Sequence, residues 1–294
     1  MRVYRNDIEK IVIFTSTENF KELYFFLKDR GNACSVVIPE NRLGTEKVEK
    51  IQKFCVTNSV DFTVHPRAEN ELEAFHLWIA QRSTGLALSW NYSQILKEKT
   101  LEIFPRGVWN MHGGKIPEYR GNHVLQWAIV NGEQEAGVTW HVMDKIIDHG
   151  LILKQGTVPI HENDTTIELS QKVCKKGLEL FSELWDEAGK NGVQPYSVNM
   201  DAGRYWKSRT PLDGIIYPDM TKKEINNLLR AQCPPWPAPV LVTSEKVFRV
   251  HGIATEYGEG TVVYHGKDAD LLLKTTEEND SDFVKKIREG IRNQ

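Results

Sequence analysis

The sequence predicts an α/β fold: an open, doubly wound, mostly parallel sheet, followed by a small β-rich domain at the C-terminal end. Three observations predict it. Over residues 1–110, short apolar runs alternate with amphipathic stretches of helical period, the pattern of successive βαβ units. The apolar runs are continuous rather than alternating, as expected of strands covered on both faces. Beyond residue 200 the texture changes to proline clusters and short β-like runs.

Taken in order, residues 11–14 (Ile-Val-Ile-Phe) form the first strand. Residues 20–27 are amphipathic and run to Gly31, a helix stop. Residues 34–38 form a second strand, 48–55 a helix and 60–64 a third strand. Residues 71–81 form another helix, with Asn70 as its N-cap. Residues 85–90 and 107–111 complete five strands, joined by right-handed crossovers. The stretch 113–121 is a long connector dense in Gly, Pro and charge, the kind of loop that often carries function. A helix follows at 124–130, and strands at 138–143 and 151–160 flank the loop 144–150. Residues 165–188 form a long amphipathic helix opened by a capping signal, Asp164, Thr165 and Thr166 with Glu168. Residues 190–201 are polar and read as a linker. β-like runs then occur at 240–243, 247–250, 261–264 and 270–274, around Pro234, Pro235, Pro237 and Pro239. The expected division is a catalytic domain over 1–200 and a smaller domain over 201–294.

Composition narrows the class. The chain has 294 residues, with 37 Lys+Arg against 40 Asp+Glu, a formal charge of −3. Apolar residues make up 40% and charged residues 26%, ordinary for a globular protein. No apolar run approaches the roughly 18 residues of a membrane span. Residues 1–10 mix charges without an apolar core, so no signal peptide is expected. Cys34, Cys55, Cys174 and Cys233 are scattered with no CxxC pair, which disfavours a zinc site and a disulfide framework and favours a reduced, cytoplasmic setting. The acid–base balance disfavours nucleic acid as a partner. The turn 15–19 lacks glycine, which argues against a dinucleotide site there. Neither GxxxxGK[ST], HExxH nor GxSxG occurs.

The chemistry concentrates around the fifth strand. Asn110 and His112 lie two apart and so share one face of it. Ligands of open α/β folds bind beyond the carboxyl ends of the strands. An amide donor and an imidazole would therefore enter the crevice together, and Asp148, in the loop before Gly150, could orient His112 or accept a proton. This set suits attack on a carbonyl, with donors for the oxyanion and a group to manage the proton. Each residue also has a plain structural reading: Asn caps turns, strand histidines sit satisfied in cores, and Asp before Gly makes turns. His123, His141 and His149 lie nearby in sequence, and His141, alternating with Met143 on a strand, reads as structural.

At these residues the chain resembles the folate-dependent formyltransferases. The resemblance rests on Asn110-Met-His112, Pro117-Glu-Tyr119-Arg120-Gly121, Gln126-Trp127-Ala128-Ile129 with Asn131-Gly132-Glu133, Gly137-Val138-Thr139, His141, Met143 and Asp148-His-Gly150. It continues in Arg209-Thr-Pro211 with Asp213-Gly214 and in Leu228-Leu-Arg230-Ala231 with Pro237, similar to members that carry a small C-terminal β domain. It implies a Rossmann-like formyltransferase fold, N10-formyltetrahydrofolate as formyl donor, an amine acceptor and no metal. It also implies Asn110, His112 and Asp148 as the catalytic residues. The pterin site is implied on two loops, through Trp90, Tyr92, Gln94, Ile95, Leu96, Met143 and Asp144. One departure stands beside the histidine: the family's common Pro-Ser-Leu-Leu-Pro is Gly113-Gly114-Lys115-Ile116-Pro117 here.

The family resembled uses several acceptors. Members acting on glycinamide ribonucleotide carry a Gly-rich loop after the first strand, absent here. Initiator-tRNA formylating members carry a basic insertion after the second strand. Residues 39–50 instead balance Arg42, Lys47 and Lys50 against Glu40, Glu46 and Glu49, which gives little counterion-release binding. The resemblance is greatest to enzymes that N-formylate nucleotide-linked amino sugars for polysaccharide biosynthesis. On that reading Lys115 and Arg120 face the acceptor diphosphate, with Tyr119, Trp127 and Tyr217 near the sugar or nucleotide, and neither nucleic acid nor membrane is a partner. The C-terminal domain could supply a homodimer surface. The alternatives are initiator-tRNA formylation, hydrolysis of formyltetrahydrofolate, and an inactive binding protein.

Overall fold

The computed structural model describes residues 3–292. The chain begins with β1 (Lys10–Thr15), α1 (Phe20–Lys28), β2 (Ala33–Pro39), α2 (Glu46–Thr57), β3 (Phe62–His65), α3 (Leu72–Gln81), β4 (Leu86–Trp90), the short α4 (Glu98–Leu101) and β5 (Val108–His112). The two-residue β6 (Arg120–Gly121) and α5 (Val124–Val130) lead into β7 (Glu135–Val142), β8 (Ile152–Pro159) and the long α6 (Thr166–Lys190). Seven strands form one sheet in the order β3-β2-β1-β4-β5-β7-β8. β1 to β5 pair in parallel, whereas β7 runs antiparallel to β5. The expected mostly parallel sheet is therefore correct, with the reversal confined to one edge.

Burial explains the continuous apolar runs. Val12 and Phe14 of β1 pack with Phe75, Ile79 and Phe104, while Ile11 and Ile13, equally buried, point the other way. On another stretch of the sheet, Trp140 of β7 donates from Nε1 to the Gly177 carbonyl of α6 at 2.8 Å, and its ring lies 4.9 Å from that of Phe181. Asn70, expected to cap α3, instead lies within a 3-10 turn at Glu69–Glu71. Residues 190–201 are no free linker. Val193 is buried and bridges to Tyr4, and Tyr196 bridges to Ile152.

The chain divides into two compact units that are interleaved. The first comprises Met1–Arg120, Gly137–Val158 and Val173–Tyr205, the second Gly121–Ala136, Pro159–Lys172 and Trp206–Gln294. The second unit thus holds α5 and the start of α6 besides the tail, which differs from a single cut at residue 200. Its later elements are β9 (Tyr205–Trp206, at the boundary), β10 (Ile215–Ile216), α7 (Lys222–Ala231), β11 (Val240–Val242), β12 (Val247–Ile253), β13 (Thr261–His265), β14 (Asp270–Glu277) and α8 (Ser281–Arg292). Five of these strands form a sheet in the order β10-β11-β12-β14-β13. α7 is set by a capping box, in which Thr221 Oγ1 accepts from the Glu224 N–H and the Glu224 carboxylate accepts from the Thr221 N–H. Its Ile225 and Leu228 pack on Val250 and Leu273, while Ile287 of α8 packs with Ile215, Val240 and Val247.

Candidate active site

Strand β5 is flanked by β4 and β7, so the end carrying Asn110 and His112 lies inside the sheet. The antiparallel register sets Asn110 opposite His141 and His112 opposite Thr139. The loop that carries Asp148 returns to this point. Asp148 adopts φ +50°, a left-handed conformation that Asp tolerates better than most residues. Gly150 lies so close to β7 that a Cβ would meet the Val142 carbonyl oxygen at 1.7 Å, so only glycine fits.

These elements join four side chains. The Asp148 carboxyl sits between two imidazoles, with Oδ2 3.5 Å from His112 Nδ1 and Oδ1 3.5 Å from His141 Nε2. Asn110 Nδ2 lies 3.0 Å from His141 Nε2. Relative exposures are 8% for His112, 8% for Asp148 and 1% for His141, so the groups interact with little water between them. An amide nitrogen only donates, so His141 Nε2 accepts from Asn110 and its proton sits on Nδ1, 3.4 Å from the Val142 carbonyl. A carbonyl only accepts, so His112 Nε2 donates to the Tyr119 oxygen at 2.6 Å. His112 Nδ1 then faces the carboxyl, and that contact is attractive only with a proton on Nδ1 or on Oδ2. The cluster can therefore store and hand over one proton while Asn110 keeps a donor in place.

The connector after β5 is held by Thr139. Its Oγ1 donates to the Gly114 carbonyl at 2.7 Å and accepts from the Ile116 N–H at 3.3 Å and from Gln155 Nε2 at 2.9 Å, which satisfies the hydroxyl. Gln155 also donates to the Ile116 carbonyl. The Tyr119 N–H returns to the Lys115 carbonyl at 2.7 Å, in the turn whose Tyr119 carbonyl meets His112. The glycine at position 114 has a steric cause. A Cβ on Gly114 would stand 2.2 Å from the Tyr119 oxygen and 2.6 Å from His112 Nε2.

The residues expected at the pterin site divide by environment. Trp90 and Leu96 are buried in the core, and the Trp90 Nε1 has no hydrogen-bond partner. The Trp90 ring is tilted against Trp140, so its side chain packs rather than lining an open surface. Tyr92 packs on Phe14 and hydrogen-bonds through its hydroxyl to His65 Nδ1 at 2.8 Å. Burial pushes His65 down to about 4, and burial likewise raises the Tyr92 phenol far above its usual range. Gln94 Nε2 donates to the His65 and Pro66 carbonyls. Ile95 is exposed, as are Ile146, Ile147 and Leu151 on the other loop. Met143 packs on the core beside Tyr92, and Asp144 accepts from the Ile146 N–H and pairs with His149 Nδ1 at 3.0 Å.

Of the residues expected at the acceptor, Lys115 pairs with Glu118 at 3.3 Å, and Arg120 Nη2 donates to the Met200 carbonyl while its buried Nε has no acceptor. Trp127 and Tyr217 belong to the second unit. Trp127 donates to the Lys207 carbonyl at 2.9 Å and carries the Arg209 guanidinium 4.5 Å over its ring. Tyr217 packs beside Ile287, and its carbonyl accepts from the Tyr264 hydroxyl. Sequence reasoning missed His141 as a member of the site, because its place depends on the antiparallel register of β7. Among the described residues no three His, Cys, Asp or Glu side chains are grouped to hold a metal ion, and no helix is long and apolar enough to cross a membrane.

The family described as "Formyl transferase" matches residues 9–184. The bifunctional polymyxin resistance protein ArnA of Wigglesworthia glossinidia brevipalpis is 30% identical over 231 residues, which are 78% of this chain and 35% of that protein. The chain thus spans about a third of that relative's length. Among solved structures, WlaRD, a sugar 3N-formyl transferase determined with dTDP and 5-N-formyl-THF, superposes with a TM-score of 0.68 at 23% identity, covering 94% of this chain and 100% of that one. The N-formyltransferase of Helicobacter canadensis, in complex with folinic acid and dTDP-3-aminofucose, gives a TM-score of 0.69 at 20% identity, covering 92% and 100%. At these identities the two structures establish a shared fold.

Proposed function

The chain belongs to the formyl transferase family, and from that premise we propose that it transfers the formyl group of N10-formyltetrahydrofolate to the amine of a nucleotide-linked amino sugar. The observation that carries this is the closed cluster of Asn110, His141, Asp148 and His112 at the carboxyl end of β5. The folate supplies an activated formyl carbon. The two loops beside the cluster expose Ile95, Ile146, Ile147 and Leu151, an apolar surface on which a pterin ring can lie.

In this reading Asn110 donates to the formyl oxygen as it gains charge. His112 Nε2–H, held by the Tyr119 carbonyl in this structure, turns to the same oxygen. Asp148 takes the proton released by the attacking amine, with His112 Nδ1 beside it to receive that proton; the bond from the formyl carbon to N10 then breaks, and the proton returns to N10 as tetrahydrofolate leaves. Oxyanion donors of this kind are worth about 10²–10³ in kcat each. Lys115 and Arg120, on the connector beside His112, are the cations proposed for the acceptor diphosphate. Such an enzyme acts in the cytoplasm, where folate and nucleotide sugars are both present.

The sugar acceptor is supported by the likeness in length and fold to the sugar N-formyltransferases and by the balanced charge of residues 39–50. The test is incubation with formyltetrahydrofolate and a panel of nucleotide-linked 3-amino and 4-amino sugars. One sugar should gain the mass of a formyl group. No product across the panel, with turnover of initiator methionyl-tRNA instead, defeats the sugar reading. His112→Asn and Asp148→Asn should each lower kcat by orders of magnitude in folded protein. Near-normal rates in both would defeat the assigned roles.

A further inference from the structure

Gln155 lies on β8 and takes no part in the reaction as assigned, yet its whole amide is engaged. Its Nε2 donates to the Ile116 carbonyl at 2.8 Å and to Thr139 Oγ1 at 2.9 Å, which uses both N–H groups. A carbonyl only accepts, so the Ile116 oxygen fixes which end of the amide faces the connector. The Oε1 end then accepts from the Tyr196 hydroxyl at 3.4 Å. Tyr196 is itself tied to the start of β8, its N–H and carbonyl both bonded to Ile152.

The influence of Gln155 passes through Thr139, whose side chain is fully buried. Gln155 Nε2 and the Ile116 N–H both aim hydrogens at Thr139 Oγ1, so the hydroxyl proton is left to the Gly114 carbonyl at 2.7 Å. Gln155 thus directs the Thr139 hydroxyl and, with it, holds the connector at Gly114 and Ile116. Arg204 holds the next stretch. Its N–H donates to the Pro117 carbonyl at 3.2 Å, and its carbonyl accepts from the Arg120 N–H at 3.1 Å. Between these anchors stands Tyr119, whose carbonyl accepts from His112 Nε2 at 2.6 Å. That contact keeps a proton on Nε2 and leaves Nδ1 turned to Asp148.

We infer that Gln155 is a positioning residue for formyl transfer, acting through the connector on the aim of His112 Nε2–H. The role in transfer rests on the reaction proposed above. Without its amide, the Ile116 carbonyl loses its donor at a residue only 1% exposed, where water is a poor substitute. The Thr139 hydroxyl is then free to turn from Gly114. A loosened connector lets the imidazole leave its set direction, and the loss falls on kcat rather than on substrate binding.

The test uses Gln155→Leu and Gln155→Glu in the full chain, with thermal unfolding to show that each is folded. Gln155→Leu should lower kcat about tenfold with both KM values within about threefold of wild type. The carboxylate of Gln155→Glu cannot donate to Ile116 while ionised and can once protonated, so its rate relative to wild type should rise as pH falls. In a His112→Asn background, Gln155→Leu should cost less than about twofold, because the group it positions is gone. A Gln155→Leu kcat at or above wild type, the same tenfold loss in the His112→Asn background, or a pH-independent ratio for Gln155→Glu would each overturn the proposal. Proton NMR without substrate gives a readout independent of the acceptor. The His112 Nε2–H signal, identified by its absence in His112→Asn, should move upfield and exchange faster with water in Gln155→Leu. An unchanged signal overturns the proposal whatever the acceptor. A shifted signal in a chain that formylates no amino sugar defeats the proposed acceptor and upholds the hold of Gln155 on His112.

Discussion

His141 touches both Asn110, at 3.0 Å, and Asp148, at 3.5 Å, without facing the reacting atoms in the proposed reaction. Replacing it by leucine keeps most of the volume and removes both contacts. Asn110 loses its acceptor, and one side of the Asp148 carboxyl loses its neighbour. A buried polar group left without a partner costs about 1–3 kcal/mol. If about 2 kcal/mol of that is the loss of correct aim in the transition state, kcat falls roughly 30-fold, since about 1.4 kcal/mol is tenfold. The KM values for donor and acceptor should stay within about threefold, because His141 contacts neither in this reading. Steady-state formylation measured across pH gives a second readout. A positioning role displaces a limb of the kcat–pH profile, whereas a purely structural role scales the whole profile. His141→Gln, which can still accept from Asn110, should recover part of the rate. A His141→Leu enzyme within threefold of wild-type kcat, with an unmoved pH profile, would refute the reasoning.

Other perturbations have defined outcomes. Gly114→Ala drives a methyl into the Tyr119 carbonyl and His112 Nε2; urea unfolding should show a loss of about 1–3 kcal/mol, with formylation reduced further because His112 is displaced. His65 titrates near 4 when folded and near 6.5 unfolded. Its depressed value means stability is complete above about pH 6.5 and falls as pH drops toward 4, by a total on the order of 3 kcal/mol. A His65→Gln variant should show a shallower acid slope in unfolding free energy, and an unchanged slope would remove His65 as its source. Thr221→Ala breaks the capping box of α7 and should cost about 1 kcal/mol in chemical denaturation.

The first five strands were legible because a strand covered on both faces must be apolar throughout, and runs such as 11–14 have no other economical use. The loop residues were legible in kind but not in environment. Trp90 and Leu96 precede and follow the turn expected to meet the pterin, yet both side chains are consumed by the core. α7 was hidden by its polarity and by the neighbouring prolines, although Thr221 and Glu224 spelled its start. That Asn110, His112 and Asp148 gather in one place could be anticipated from spacing and resemblance. His141 could not, since a reversed strand brings it opposite Asn110, and reversal leaves no mark in a local pattern of alternation.

The interleaving of the two units has a consequence for how such a chain can be rebuilt or can diverge. Arg230 of the tail donates to the carbonyls of His161 and Asp164, and Thr166 donates to the carbonyl of Ala231. A graft that exchanges everything after residue 200 would leave those main-chain acceptors, and the face of α5 that meets α7, without their complements. A different tail cannot be spliced on at one junction. Change must arrive either as point changes within a retained tail or as a coordinated transplant of three separate stretches of sequence.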